Sequence, residues 1–346
     1  MVHFDYPPQA LQGELRRIAN DLMAPGKGIL AADESLDLME KRLRDIGLKN
    51  DIENRRRYRQ ILFTANKSSM GNYISGVIML PATLYEKADN GTPFIELLKE
   101  RGILPGVNVD GGLVDLPFTN GETITQGLDN LGQRLAEYKK AGCAFAKWRG
   151  AYRISKTTPS DLAIIENANA LARYASLCQS NGLVPIVEPD ISRDGDHDLE
   201  TNQKTTEVVL AAVYKALNDH HVFLEGTVLK PSMVTPGKDH KTWYSPQDIA
   251  KATVLAVSRT VPAAVPGIGF LSGGQTDQEA TDNLNAINKF TGATKPWHLT
   301  FIFGRALQTP ISTTWKGKDE NVVAAQEEFL KLAKRNSLAS LGKYNR

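Results

Sequence analysis

The run Val222-Phe223-Leu224-Glu225-Gly226-Thr227-Val228-Leu229-Lys230-Pro231 joins a strand-like apolar segment to a lysine at its end. A lysine that closes a buried strand loses much of its hydration, and desolvation disfavours the charged ammonium form. A neutral amine is a nucleophile whose natural target is a carbonyl carbon. The alternative is an ordinary strand-end lysine whose ammonium group reaches solvent. The residues that the fold brings around Lys230 distinguish these two interpretations.

Short apolar runs of this kind recur through the chain, separated by amphipathic segments. We count eight of them, at residues 28–32, 74–80, 103–109, 143–146, 183–187, 222–229, 265–271 and 299–303. Repeated βα units whose strands are apolar on both faces are typical of parallel strands covered by helices. The pattern predicts one α/β domain over residues 1–346, a single eight-stranded (β/α)8 TIM barrel.

Helical segments are also expected outside the eight units. Apolar residues at helical spacing from Leu11 to Leu22 predict an additional N-terminal helix, within an extension of about residues 8–25. A C-terminal helical segment is expected at about residues 319–346.

The composition sets limits on partners and cofactors. A formal net charge of +2 gives no case for nucleic acid or an anionic membrane as a partner. Two cysteines, no signal-peptide pattern and no apolar run of membrane-spanning length predict a cytoplasmic protein. None of the six histidines forms a strand-end pair with metal-ligand spacing, so we expect no metal. The acidic cluster around His197 is the one alternative, as a candidate metal site. No stretch resembles a dinucleotide fingerprint or a Walker phosphate loop, so we expect no cofactor.

Charged and polar residues follow most of the predicted strands. In a (β/α)8 barrel the catalytic groups project from the carboxyl ends of the strands, so these residues should share one rim. Two lysines and two carboxylates on one rim exceed what chance placement would give. The residues found there are Asp33, Asn108, Asp110, Lys147, Arg149, Glu188, Lys230, Ser272, Gly273, Gly274, Gly304 and Arg305.

Ser272-Gly273-Gly274 and Gly304-Arg305 follow the seventh and eighth strands. Barrels of this type often bind phosphate there, through backbone N–H groups and a helix N-terminus. Glycines let the backbone approach the phosphate oxygens, and an arginine adds charge-assisted hydrogen bonds. The alternative is a tight turn beside a surface arginine. Because Lys230 lies on the adjacent strand, the combination predicts a phosphorylated carbonyl substrate.

Lys147, Glu188 and Asp33 supply charge and proton-transfer groups around Lys230. Two neighbouring ammonium groups repel each other, which is expected to lower the pKa of one of them and so activate an amine. The two carboxylates suffice for the proton transfers of imine formation and for removal of a hydroxyl proton. Alternatively, Glu188 is only a salt-bridge partner of Lys147 or Arg149.

Six stretches resemble class I fructose-1,6-bisphosphate aldolases of the animal type, in the same order and over nearly the whole chain. They are GKGILAADES at 26–35, FAKWR at 145–149, PIVEP at 185–189, LEGTVLKP at 224–231, LSGGQ at 271–275 and GRALQ at 304–308. The stretch at 224–231 resembles the Schiff-base signature of that family. The resemblance implies a cytoplasmic glycolytic lyase, a homotetramer that needs no metal.

Residue by residue, the resemblance implies that Lys230 forms an imine with the C2 carbonyl of the substrate. It implies that Glu188 is the acid and base for imine formation, that Lys147 stabilises a developing oxyanion, and that Asp33 takes the C4 hydroxyl proton. It also implies that the two glycine-containing loops bind the C1 phosphate, through Ser272, Gly273, Gly274, Gly304 and Arg305. It further implies that the helix after the first strand contributes two residues to the lining of the site, Lys41 and Arg42.

The chain departs from the family pattern in the half of the site that holds the second phosphate. Leu38 and Asn108 stand where the family has a serine and a lysine, while Ser35 and Arg149 remain as phosphate contacts. Asp190 replaces a glutamate, so its shorter carboxylate is not expected to reach a lysine partner.

The C-terminal segment has no match to the tyrosine tail of the family. These departures leave two alternatives to a standard aldolase. One is an aldolase with altered acceptor or ketose 1-phosphate preference. The other is a catalytically weakened barrel that binds partners such as cytoskeletal filament proteins.

Overall fold

The computed structural model describes residues 5–345; residues 1–4 and 346, at the ends of the predicted domain, lie outside the described residues. Eight parallel strands form a closed barrel, which confirms the predicted (β/α)8 TIM barrel. A separate two-stranded hairpin comprises β4 (Leu113–Asp115) and β5 (Thr123–Thr125). The barrel strands are, in order around the barrel, β1 (Gly28–Ala32), β2 (Ile74–Met79), β3 (Leu104–Asn108), β6 (Phe145–Tyr152), β7 (Val184–Ile191), β8 (Val228–Leu229), β9 (Gly267–Phe270) and β10 (His298–Phe303).

Helices follow the strands and cover the barrel, as expected for βα units. The α-helices of the described residues are α1 (Gln9–Leu22), α2 (Leu36–Arg44), α3 (Ile52–Phe63), α4 (Lys67–Tyr73), α5 (Phe94–Lys99), α6 (Leu131–Ala141), α7 (Asp161–Ser180), α8 (Leu199–Asp219), α9 (Pro246–Thr260), α10 (Asp277–Lys289), α11 (Arg305–Trp315) and α12 (Val322–Ser340). The expected N-terminal helix is α1, and α12 lies in the expected C-terminal segment. No helix among residues 5–345 combines the length and the apolar character needed to cross a membrane.

The helix α1 packs at the amino-terminal end of the barrel strands. Leu15 and Leu22 are fully buried and belong to the same apolar cluster as Ile29 of β1 and Phe145 of β6. The ring of Phe145 fills the barrel above Gly106, where an added Cβ would lie 2.2 Å from the ring. Packing of side chains rather than an open channel therefore supports the opposite rim, where the strands end.

The sixth barrel strand, β8, is much shorter than the predicted run 222–229. Leu224–Gly226 form a short 3-10 helix instead of a strand. A Cβ at Gly226 would lie 2.8 Å from Cβ of Leu15, so α1 packs directly on this turn. The amide of Gln179 donates to the backbone oxygens of Phe223 and Gly226, which replaces the hydrogen bonds that a neighbouring strand would provide.

Two strands, β6 and β7, are longer than predicted, since they reach Tyr152 and Ile191 rather than residues 146 and 187. They pair in register over their full length, from Phe145 opposite Val184 to Tyr152 opposite Ile191. The charged residues expected after these strands therefore lie within them, on a rigid part of the rim.

Candidate active site

The alternation of side chains along β6 and β7 directs four charged groups to one place. In β6, Trp148 is fully buried and stacks on Tyr174 of α7, on the outer face of the strand. Lys147 and Arg149 lie on the opposite face because successive strand residues point to opposite sides. Glu188 and Asp190 take the corresponding positions in β7, where Glu188 is paired in register with Arg149.

Glu188 contacts both lysines of the rim. Its Oε1 lies 3.0 Å from Nζ of Lys230, and its Oε2 lies 3.2 Å from Nζ of Lys147. All three side chains are about 6% exposed. Lys230 is held at this point because its backbone N–H donates to the carbonyl of Val187 on β7. The lysine therefore does not extend into solvent, and Glu188 pairs with Lys147 and Lys230 rather than with Lys147 alone.

Asp33, at the end of β1, completes the chain of contacts. Its Oδ2 lies 2.8 Å from Nζ of Lys147 and accepts a hydrogen bond of 3.1 Å from the side-chain amide of Asn108. Asp110 lies farther away, with its Oδ2 4.0 Å from Nζ of Lys147. The order Lys230, Glu188, Lys147, Asp33 thus gives alternating charges, with Asn108 as the neutral end of the row.

These contacts set the ionisation of the buried groups. Burial alone would lower the pKa of Lys147, but the carboxylates of Asp33, Glu188 and Asp110 raise it above its ordinary value. Repulsion between the two ammonium groups therefore does not lower the pKa of Lys147. Burial would raise the pKa values of Asp33 and Glu188, yet Lys147 and Lys230 hold both below their usual range. Both carboxylates are thus bases near neutral pH.

Asp190 pairs with Arg149 and not, among the described residues, with a lysine. The Nε and Nη2 atoms of Arg149 lie 2.8 and 2.7 Å from Oδ2 of Asp190. The hydroxyl of Ser232, just after β8, lies 3.0 Å from the other carboxylate oxygen, Oδ1, and 3.0 Å from the carbonyl oxygen of Ile191, so its one proton is shared between these two acceptors. The same hydroxyl accepts from the backbone N–H of Ile191. Ser232 therefore contributes to the position of Asp190, and Asp190 orients the guanidinium of Arg149, a side chain that is 43% exposed.

The glycine loop after β9 has the form expected of an anion-binding turn. Gly273 and Gly274 have φ angles of +25° and +76°, a backbone shape that other residues rarely adopt. Ser272 is buried beside them, and its carbonyl accepts from the N–H of Gln275. After the neighbouring strand β10, Gly304 is the N-cap of α11, and Arg305 is the exposed first residue of that helix. The positive end of the helix dipole is thus available beside the loop.

Three residues of the first loop and helix differ in their placement. Lys41 of α2 is exposed, whereas Arg42 is turned into the protein and pairs with Glu34. The hydroxyl of Ser35 caps α2 by accepting from the N–H of Leu38, whose side chain is 48% exposed. Arg42 is therefore not free to line the site, and Ser35 has a structural use in this conformation.

The partner of Arg42 is a buried ionic network that the sequence analysis missed. Glu34 accepts hydrogen bonds from Arg42 and from Arg59 of α3, and the side-chain oxygen of Gln308 accepts from both arginines. The amide of Gln308 in turn donates to the carbonyl of Ala31 in β1. An arginine at position 59, among the apolar residues Tyr58 to Phe63 of a helix, was the available signal.

Residues 5–345 contain no cluster of three or more histidine, cysteine, aspartate or glutamate side chains placed to hold an ion. His197 lies buried in the loop before α8. Its two ring nitrogens have no hydrogen-bond partner among the described residues.

The comparisons with known proteins agree with the geometry. The family model described as fructose-bisphosphate aldolase class-I matches residues 14–346. A fructose-bisphosphate aldolase of Schistosoma mansoni is 61% identical over 339 residues, covering 98% of this chain and 93% of that protein. One of Drosophila melanogaster is 58% identical over 342 residues, covering 99% and 94%.

A solved structure has the same fold. It is the fructose-bisphosphate aldolase of Plasmodium falciparum in complex with TRAP and a small molecule inhibitor, which is 48% identical and superposes with a TM-score of 0.97 over 100% of this chain and 99% of that one. The chain therefore belongs to the class I fructose-bisphosphate aldolase family.

Proposed function

We propose that the protein is a class I aldolase that reversibly cleaves fructose 1,6-bisphosphate to dihydroxyacetone phosphate and glyceraldehyde 3-phosphate. The observation that carries this proposal is the row of alternating charges in which Nζ of Lys230 lies 3.0 Å from Glu188, and Glu188 lies 3.2 Å from Lys147. This row combines a buried amine with carboxylates that are ionised near neutral pH. Such a combination suits attack on a carbonyl followed by proton transfer.

Imine formation uses Lys230 and Glu188. The carboxylate of Glu188 accepts a proton from the Lys230 ammonium, and the free amine attacks C2 of the ketose to give a carbinolamine. Glu188 returns the proton to the C2 hydroxyl, which leaves as water, and a protonated imine remains. Lys147 stays cationic because of its raised pKa, and its charge stabilises negative charge on oxygen as the addition proceeds.

Cleavage uses Asp33. Its carboxylate accepts the proton of the C4 hydroxyl, the C3–C4 bond breaks, and its electron pair moves into the imine to give an enamine. The aldehyde product leaves, and the enamine gains a proton at C3 while Asp33 gives up the proton it accepted. Water then hydrolyses the imine to release dihydroxyacetone phosphate. The low pKa of Asp33 keeps it in the basic form that this step needs.

The two phosphates would occupy opposite parts of the rim. We assign the C1 phosphate to Ser272, Gly273, Gly274 and the α11 N-terminus with Gly304 and Arg305, supported by the positive φ angles of the loop and by the free helix end. Arg149 is assigned to the second phosphate, since its guanidinium is part-exposed and oriented by Asp190. Lys41 adds an exposed cation on α2.

The covalent step can be tested by trapping. Borohydride reduction in the presence of dihydroxyacetone phosphate should add one triose phosphate to the chain, and peptide mass spectrometry should place it on Lys230. Lys230→Met should abolish both the adduct and turnover, while Lys238→Met, which removes an exposed lysine, should change neither. An adduct on another lysine, or turnover in Lys230→Met, would contradict the assignment.

We also propose that the protein is a homotetramer of the cytoplasm. The β4–β5 hairpin supports association because it carries the exposed apolar side chains Leu113, Val114 and Phe118. Sedimentation of the intact protein should give a mass four times that of the chain, and Phe118→Ser should shift it toward smaller species. A monomeric native protein with full turnover would contradict the tetramer. Binding to cytoskeletal filament proteins is a separate property, which co-sedimentation of the protein with filaments would measure.

A further inference from the structure

A cavity of about 750 Å³ lies outside the barrel, between α9 and α10. Its lining includes Gln275, which directly follows the phosphate loop Ser272–Gly274. It also includes Phe290, just after the end of α10. Cavities of roughly 300–1,000 Å³ can hold small organic ligands, and the lining of this one mixes apolar and aromatic side chains with polar and charged ones of both signs.

The cavity wall is aromatic on the side of α9. Trp243 is 80% exposed, whereas Trp148, Trp297 and Trp315 are at most 6% exposed. Tyr244 is fixed by stacking on His240 at 5.9 Å and by contact with a small apolar cluster beneath it. An exposed indole and a fixed phenol ring supply aromatic faces on which a planar ligand can stack. The capping box of Ser245 and Asp248 fixes the start of α9 and thereby the position of these rings.

The polar end of the cavity provides an incompletely paired cation. Nε of Arg193 is buried and has no hydrogen-bond partner among the described residues. Nη1 of Arg193 lies 3.9 Å from Oε2 of Glu279, beyond hydrogen-bonding distance. That carboxylate oxygen is already used to cap α10 through the N–H of Thr276. The guanidinium therefore retains donors for an additional acceptor.

We propose that this cavity is a second ligand site, which binds a planar aromatic anion. The ring would lie against Trp243 and Tyr244, and the anionic group would accept hydrogen bonds from Arg193. This site is separate from the Schiff-base centre, and the inference does not rest on the proposed function. It has a physical connection to that centre, because the Arg193 side chain packs on Gly274, with Cδ 3.5 Å from the position of an added Cβ. An anion that attracts Arg193 would thus alter the support of the phosphate loop.

Titration calorimetry with 2-naphthoate tests the site, since this probe has an aromatic ring, one carboxylate and no phosphate. We expect one site per chain on the native protein and no heat with cyclohexanecarboxylate at the same concentration. Trp243→Ala should weaken 2-naphthoate binding by about 3- to 10-fold through loss of stacking. Arg193→Gln should weaken it by about tenfold or more through loss of a charged hydrogen bond. Lys238→Gln, a change of a nearby exposed cation, should have no effect.

A second titration separates the cavity from the Schiff-base centre. Protein trapped with dihydroxyacetone phosphate should still bind 2-naphthoate, and Arg305→Ala should bind it as the native chain does. Binding that is lost on trapping, or that is insensitive to both Trp243→Ala and Arg193→Gln, would place the probe elsewhere and overturn the proposal. No heat at millimolar 2-naphthoate would overturn it as well. The calorimetric readout does not require turnover, so failure of the proposed function would not produce these results.

Discussion

Replacement of Lys147 by methionine tests the central electrostatic argument. Methionine keeps the unbranched apolar stem of the lysine but removes the charge that lies 2.8 Å from Asp33 and 3.2 Å from Glu188. Glu188 would keep Lys230 as a partner, whereas Asp33 would keep only the neutral amide of Asn108 at hydrogen-bonding distance. The substitution therefore leaves one carboxylate buried without a cationic neighbour in contact.

The expected loss of stability follows from these distances. Coulomb's law with an effective dielectric constant of about 20 gives about 6 kcal/mol for unit charges 2.8 Å apart. Part of this is offset because methionine, unlike Lys147, needs no desolvation of a charge. Breaking one partner of a buried ion pair typically costs about 3–5 kcal/mol, and we expect a loss of that size for Lys147→Met at pH 7.

The loss of stability in Lys147→Met should depend on pH, and the pKa shifts give the direction of that dependence. In the native chain the pKa values of Asp33 and Glu188 lie below their ordinary range, so these groups stabilise the fold above their unfolded pKa and lose that contribution in acid. Without Lys147, the folded pKa of Asp33 should rise to or above its unfolded value of about 3.9. Protonation of Asp33 then removes the unpaired buried charge of Lys147→Met. The difference in unfolding free energy between the native protein and the mutant should therefore shrink as the pH falls from neutral toward 4.

Urea unfolding followed by circular dichroism between pH 4 and 8 measures this difference. The matched control is Lys215→Met. Its ion pair with Asp219 is shorter, at 2.5 Å against 2.8 Å for Lys147 and Asp33, but the two side chains are 76% and 56% exposed. That control should lose less than about 1 kcal/mol. A stability loss for Lys147→Met that is equally small, or that does not change with pH, would refute the reasoning.

Three further substitutions test packing and substrate binding. Gly106→Ala would place a Cβ 2.2 Å from the ring of Phe145, and we expect a loss of about 1–3 kcal/mol or more in urea unfolding. Gly13→Ala, at an α1 position with no atom within 4 Å of the added Cβ, should instead stabilise the protein by about 0.5–1 kcal/mol in the same assay. Ser232→Ala removes a hydrogen bond to Asp190 and should raise KM for the bisphosphate by about 5- to 10-fold, since such a bond contributes about 1 kcal/mol, with a smaller change in kcat. An unchanged KM would show that the hydrogen bond from Ser232 does not contribute to substrate binding.

The fold was predictable because the barrel strands are short, apolar on both faces and separated by helices. The exceptions have identifiable structural causes. Residues 223–226 are apolar like a strand, but Gln179 and the contact of Gly226 with Leu15 hold them in a turn, and neither partner is near in sequence. The β4–β5 hairpin was missed because its strands have three residues each and the residues of β4 are exposed, so they lack the pattern of a buried strand.

The convergence of Lys230, Glu188, Lys147 and Asp33 was predictable for a related reason, because the carboxyl ends of parallel strands meet at one rim. The direction in which a long side chain points could not be predicted from the sequence. Arg42 lies on the helix after β1, at a position that matches the family's site, yet its guanidinium is bound to Glu34 within the protein. Only the three-dimensional position of Arg59 and Gln308, which share this network, explains that choice.

The balance of charge around Lys230 explains why the arrangement suits an imine. The carboxylates of Asp33, Asp110, Glu188 and Asp190 outnumber the cations Lys147, Lys230 and Arg149 in the connected cluster. Such a cluster stabilises a positive charge at this point of the rim, and a protonated imine on Lys230 would place its charge there. The carboxylates therefore already face the nitrogen that carries the charge of the intermediate, and little reorganisation is needed to stabilise it. The adjacent Glu188, whose Oε1 lies 3.0 Å from Nζ of Lys230, can exchange protons at this nitrogen while the lysine stays out of solvent.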